Sequence, residues 1–171
     1  PANNPETFGP NCERLAASFN GQGWSWQPGL QACGNSHLSL LFNTQSDAGT
    51  LLYTGPSPLN IVRNVSDFLA VELVKGKLKM YINYGSGTRI LALDQRVDDG
   101  KDHFLMLRWT NDTVQMELDS KTCSNEVAQS HNQCFVQITT HDMAHHYLNT
   151  NGPLHVGGVS FGADRFADVA S

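Results

Sequence analysis

Apolar residues recur at every second position through most of this chain, and that period limits the fold more than any other feature. In "HLSLLFNT", Leu38, Leu40 and Phe42 fall on one face, and in "DFLAVELV", Leu69, Val71 and Leu73 do the same. Side chains alternate across a strand, whereas the apolar side of a helix returns every three or four residues, so these segments read as half-buried strands. Leu78, Met80, Ile82 and Tyr84 follow after Lys75-Gly76, which makes residues 67–84 a β-hairpin. "HFLMLRW" and "TVQMELD" flank Asn111-Asp112, with Leu105, Leu107 and Trp109 facing Val114, Met116 and Leu118. Phe135, Gln137 and Thr139 against Val136 and Ile138 form a strand whose inner face is less clear, and Leu154-His155-Val156 before Gly157-Gly158 closes the series. Gly, Asp and Asn clusters separate the strands at intervals of roughly ten residues, the rhythm of an all-β sandwich. "CERLAASF" is expected to form one or two helical turns, and residues 1–11 a linker.

Composition narrows the partners. The chain has 171 residues, enough for one domain with a sizeable core. Its formal net charge of −5 argues against nucleic acid, heparin-like polyanions or an anionic membrane surface. Lys75, Lys77 and Lys79 alternate along a strand and read as a solvated face. No segment approaches the roughly 20 apolar residues of a membrane-spanning helix, and "PANNPETFGPN" lacks the basic start and apolar core of a signal peptide.

Secretion is argued instead from cysteines and sequons. Cys12, Cys33, Cys123 and Cys134 fit neither a redox C-x-x-C nor a zinc-ribbon spacing. Two disulfides are the economical reading. Of three possible connectivities we favour Cys12–Cys33 with Cys123–Cys134, the latter closing the polar loop "CSNEVAQSHNQC". Asn64-Val65-Ser66 and Asn111-Asp112-Thr113 are glycosylation acceptors in expected turns. Together these features point to an oxidising, extracellular setting.

One stretch invites an enzyme reading. In "TTHDMAHHYLNTNG", His141 and His145 with Asp142 nearly copy the zinc-peptidase pattern H-E-x-x-H. That motif needs a helix, because only there do residues i and i+4 project together onto one metal. The stretch follows a β-branched run and ends in turn residues, so the histidines are expected on a loop. No G-x-S-x-G elbow and no phosphate-cradling glycine loop is present. Asp98-Asp99 beside Gly100 reads as a solvent-exposed turn rather than an acid/base pair.

The strands in order, "LSLLFNTQSDAGTLLYTG", "SDFLAVELVKGKLKMYINYGSG", "DGKDHFLMLRWTNDTVQMELD" and "PLHVGGV", resemble the laminin G-like (LG) domain over about residues 36–160. The lead-in "GWSWQPGLQACGNSH" is most similar to the LG domain of invertebrate-type classical cadherins, with Flamingo-type cadherins and neurexin-like receptors as neighbours. The resemblance implies a jelly-roll sandwich of two antiparallel sheets over residues 12–171, on the extracellular part of a single-pass adhesion receptor. It implies a binding or structural module without catalysis, whose partners are other proteins or neighbouring domains of the same receptor. It also implies calcium at one rim, with Asp67 and Asn149 giving side-chain oxygens and Tyr84 and Tyr147 giving carbonyls. One charged and one neutral side chain with carbonyls suit a hard cation and make a weak site, sufficient where calcium is millimolar. The family ordinarily continues into a final strand containing a cysteine, which "ADVAS" does not supply. That departure raises the expectation of either a cut chain or a cleaved C-terminal segment associated non-covalently.

Overall fold

A computed structural model describes residues 17–21, 23–30, 35–55, 67–110, 112–120, 123, 132–140, 148, 150 and 152–159. The strands are β1 (Ser25–Gln27), β2 (Ser36–Asn43), β3 (Ala48–Thr54), β4 (Phe68–Val74), β5 (Lys77–Asn83), β6 (Thr88–Arg96), β7 (Asp102–Trp109), β8 (Thr113–Leu118), β9 (Phe135–Thr139) and β10 (Leu154–Val156). They form a six-stranded sheet in the order β1-β10-β3-β4-β5-β6 and a four-stranded sheet in the order β2-β7-β8-β9. Every pairing is antiparallel. This is the all-β, two-sheet sandwich expected from the alternation.

The core lies between the sheets. Leu69, Val71 and Leu73 of β4, Leu78, Met80 and Ile82 of β5, and Leu91 and Leu93 of β6 face Leu105, Leu107 and Trp109 of β7 and Val114, Met116 and Leu118 of β8. Burying one such side chain contributes about 1.5–3 kcal/mol, so this layer is the main stabilising element. The β4–β5 turn uses Lys75 (φ 55°) and Gly76 (φ 75°). Two left-handed residues match the twist of paired strands, which is why the two-residue connection works.

Three features depart from the sequence reading. First, the outer face of the six-stranded sheet is not solvated at its centre: Tyr53, Ala70 and Tyr81 are buried there with Phe68 and Val159 packed against them. Glu72 is buried on the same face, opposite Lys79 and beside Thr50 Oγ1. Second, β1 and β6 were not anticipated. β1 is only three residues long, and β6 carries an exposed Ile90 and a register shift against β5 that disguise its period. Third, Ala17, Ser18 and Phe19 of the expected helical segment have no regular structure, and its remainder lies outside the described residues.

The long connection between β8 and β9 returns as a stitch across the sandwich. The carbonyls of Asn132 and Gln133 accept hydrogen bonds from the amides of Asp94 and Gln95 on β6. The next carbonyl, Cys134, accepts from the Leu118 amide on β8. Cys134 is disulfide-bonded to Cys123, both buried, with Cα atoms 5.7 Å apart. Cys12, Cys33, Asn64 and Asn111 lie outside the described residues.

Candidate calcium rim and the laminin G relationship

The antiparallel register of β4 and β5 decides where the first candidate ligand stands. Phe68 pairs with Asn83, so the next step outward sets Asp67 opposite Tyr84 at one end of the sandwich. Asp67 is 4% exposed and Tyr84 2%. Burial, and after it the negative charge of Asp67, pushes the Tyr84 phenol up to about 12. The Asp67 carboxylate thus lies within electrostatic reach of the Tyr84 phenol.

The chain is fixed just beyond Tyr84. The Asn83 side-chain oxygen accepts the amides of Gly85 (2.7 Å) and Gly87 (3.3 Å). Gly85 and Gly87 take φ of 87° and 109°, conformations a side chain would strain. The expected turn at Gly85-Ser86-Gly87 is therefore present, and it ends β5 so that Tyr84 sits at the rim.

Tyr147 and Asn149 lie outside the described residues, but the positions around them are informative. Leu148 between them is 4% exposed and belongs to the main core. Gly152 follows, and a side chain there would collide with the carbonyl of Gly55. A Cβ on Gly55 would in turn lie 2.6 Å from Cβ of Phe68. Close backbone packing thus brings the 152 segment to the strand ends that carry Asp67. Two residues before Gly152, Thr150 Oγ1 is buried without a hydrogen-bond partner among the described residues, an orphaned oxygen of the kind a hard cation or water satisfies.

The expected donor set is all oxygen, the kind a hard cation such as calcium takes. Among the described residues no three His, Cys, Asp or Glu side chains lie close enough to share an ion. A site here depends on one carboxylate with amide and carbonyl oxygens. His141 and His145 lie outside the described residues.

A second charged cluster, missed from sequence, occupies the opposite end. His103 Nδ1 stands 2.7 Å from Asp119 Oδ2 and its Nε2 3.1 Å from Asp99 Oδ1. Asp119 adopts φ 50° and its Oδ1 accepts the Phe104 amide at 2.7 Å. Asp98-Asp99 lie at the turn expected beside Gly100, Asp99 exposed and Asp98 part-exposed, and both carboxylates are paired there. Asp98 is held by Arg96, and Asp99 binds Lys101 Nζ at 2.8 Å as well as His103. All of these groups are engaged with one another, so the cluster ties strand ends together rather than presenting a reactive centre.

Comparison with known proteins agrees with this architecture. A family model described as "Laminin G domain" matches residues 42–170. Neural-cadherin of Drosophila melanogaster is 36% identical over 165 residues, which is 88% of this chain and 5% of that protein. Neurexin-2 of Mus musculus is 27% identical over 134 residues, 77% of this chain and 6% of that protein. The chain therefore corresponds to a small part of each of these relatives. Among solved structures, the LG1-3 region of the laminin alpha2 chain superposes with a TM-score of 0.66 at 20% identity, covering 86% of this chain and 26% of that one. The fold, the order of the strands and the family match agree: the chain belongs to the laminin G domain family.

Proposed function

We propose that this chain is an extracellular binding module of a calcium-dependent, cadherin-like adhesion receptor with a single membrane anchor, acting without catalysis. Its partners are proteins or neighbouring domains of the same receptor. The similarity to Neural-cadherin supports the receptor class, and the match to Neurexin-2 supports a binding role for the module. At the rim, the Asp67 carboxylate, the Asn149 side chain and the Tyr84 and Tyr147 carbonyls would hold one calcium ion, whose charge would order the loops that meet a partner.

The observation that carries the metal reading is the burial of Asp67 beside Tyr84. A carboxylate just before β4, opposite Tyr84 across the hairpin, supplies the one charged oxygen ligand that a hard cation takes among neutral oxygens. Calorimetry on a metal-stripped sample tests the site. The expected dissociation constant is on the order of 10⁻⁴–10⁻³ M, typical of extracellular modules, and Asp67→Ala should abolish the heat. Identical titrations for the two proteins would sink the assignment. Metal analysis of the purified chain should find no stoichiometric zinc; one equivalent of zinc would revive a hydrolase built on His141 and His145.

A further inference from the structure

His155 stands among aromatic side chains. The register sets Trp26 of β1 on one side of it and Tyr53 of β3 on the other, all on the outer face of the six-stranded sheet. Trp24, two residues before Trp26, has its ring 5.5 Å from the imidazole, and the Tyr53 ring is 6.0 Å away. His155 is 5% exposed, whereas Trp24 is 41% exposed, so swinging Trp24 aside brings water to the imidazole.

The β1–β10 ladder, with His155 in its middle pair, is the centre of a longer contact. A side chain on Gly157 would strike the Phe19 ring, and one on Gly158 would lie 3.4 Å from both the Gly23 carbonyl and Trp24 Cβ. A Cβ on Gly29 would come 2.8 Å from the Gly152 carbonyl. Glycines on both sides therefore let residues 19–21 and 23–29 lie closely along residues 152–158, as a clasp. β10 is fastened independently, because it pairs with β3 and the Gly157 amide donates to the Leu51 carbonyl at 3.0 Å.

The elements around His155 bring little charge. The described clasp residues include no titratable side chain, β3 contributes Tyr53 alone, and residues 152–159 contribute His155 itself. The charged groups described on this face are Glu72 of β4, Lys77 and Lys79 of β5, and Asp94 and Arg96 of β6, two or more strands from β10. Burial holds the imidazole below its ordinary 6.5.

We propose that His155 is an acid-operated release for this clasp. Neutral, it lets Trp24 and β1 lie against β10; protonated, it draws water, displaces Trp24 and frees β1. A group that is more acidic when clasped than when open gains its proton by opening. The clasp is therefore firm above 6.5 and weakens as pH falls below it. That window includes the fall from neutral to about pH 5–6 that histidine sensors read.

Two readouts on the isotopically labelled chain test this. Followed by NMR, the His155 ring should titrate with a midpoint below 6.5, and the Trp24 indole resonance should move at the same pH. Protection of the β1 amides, corrected for intrinsic exchange, should fall about threefold or more between pH 7.5 and pH 5, while amides of β4 and β5 keep theirs. His155→Phe and His155→Gln, which cannot take the proton, should each remove the fall. His103 lies on β7 in the other sheet and acid strengthens its pairing, so it does not produce this fall. A midpoint at or above 6.5 would mean that the aromatic rings hold the cation, and it overturns the proposal. So do equal β1 protection at the two pH values, a fall that persists in whichever variant folds, and a parallel fall in β4 and β5, which would be global unfolding.

Discussion

Replacing His103 with leucine tests whether the charged cluster at the β6–β7 end is a stabilising clamp. The side chain is 7% exposed, with one ring nitrogen on each of two carboxylates. Only an imidazolium can donate from both nitrogens. Burial alone would lower the His103 pKa, but the hydrogen bonds and charges of Asp119 and Asp99 outweigh it, and the net shift is upward from 6.5. Asp99 also binds Lys101 on an exposed turn, so solvent screens its share. The magnitude therefore rests on Asp119, which His103 approaches at 2.7 Å while Gln95 Nε2 stands 3.4 Å away. A buried hydrogen bond to a charged group contributes about 1.5–3 kcal/mol. His103→Leu should thus cost about 2 kcal/mol at pH 5.5, or roughly 4–8 °C in melting temperature for a chain of this size. A folded-state pKa above the unfolded one gives stability that is full below 6.5 and fades as pH rises through the folded value. At pH 8.5 the neutral ring still donates one hydrogen bond, so the deficit of the variant should shrink without vanishing. Urea unfolding of both proteins at the two pH values, with unchanged m, reads this directly. A deficit that is equal or larger at pH 8.5 would refute the clamp.

Two other outcomes follow from the same geometry. Removing the Cys123–Cys134 bond, which closes a loop with a sequence separation of 11, should cost about 3 kcal/mol in denaturant unfolding; a loss under 1 kcal/mol would mean that the hydrogen bonds of residues 132–134 hold the loop alone. Asp67→Asn should lower the alkaline titration midpoint of Tyr84 from about 12 yet leave it above 10, because burial is the larger cause, while Tyr53, raised to about 12 by burial, serves as internal control. An unmoved Tyr84 would show that Asp67 is not its electrostatic neighbour.

The strands that could be read in advance are those with one face in the core. From Leu69 to Tyr84 and from Leu105 to Leu118 the alternation and the turns between them match the structure closely. Alternation is silent about whether the second face is covered, so the burial of Ala70 and Tyr81 was invisible. β6 was hidden because Ile90 points outward and a bulge breaks its period. Asp67 and Tyr84 were named from the family resemblance, and the hairpin register sets them opposite each other. The His103–Asp119 contact was not legible, because it links residues 16 apart across a hairpin and Asp119 looks like any turn residue. The pairing of Asp98 with Arg96 was not legible for the related reason that Arg96 lies on a strand that was not anticipated.

The pairing of β1 with β10 has a mechanical consequence. Ser25 lies opposite Val156 and Gln27 opposite Leu154. Tension applied through the chain before Ser25 and after Val156 pulls both strands from the same end. Such a ladder peels one pair at a time instead of shearing all pairs together, and here it has three pairs to peel. Among the described residues β1 has no other neighbour in the sheet, whereas β10 is also held by β3. Under load the module would first lengthen at this seam. β4 and β5, which carry Asp67 and lead to Tyr84, lie three and four strands inward from β1. They stay outside the force path while the seam yields.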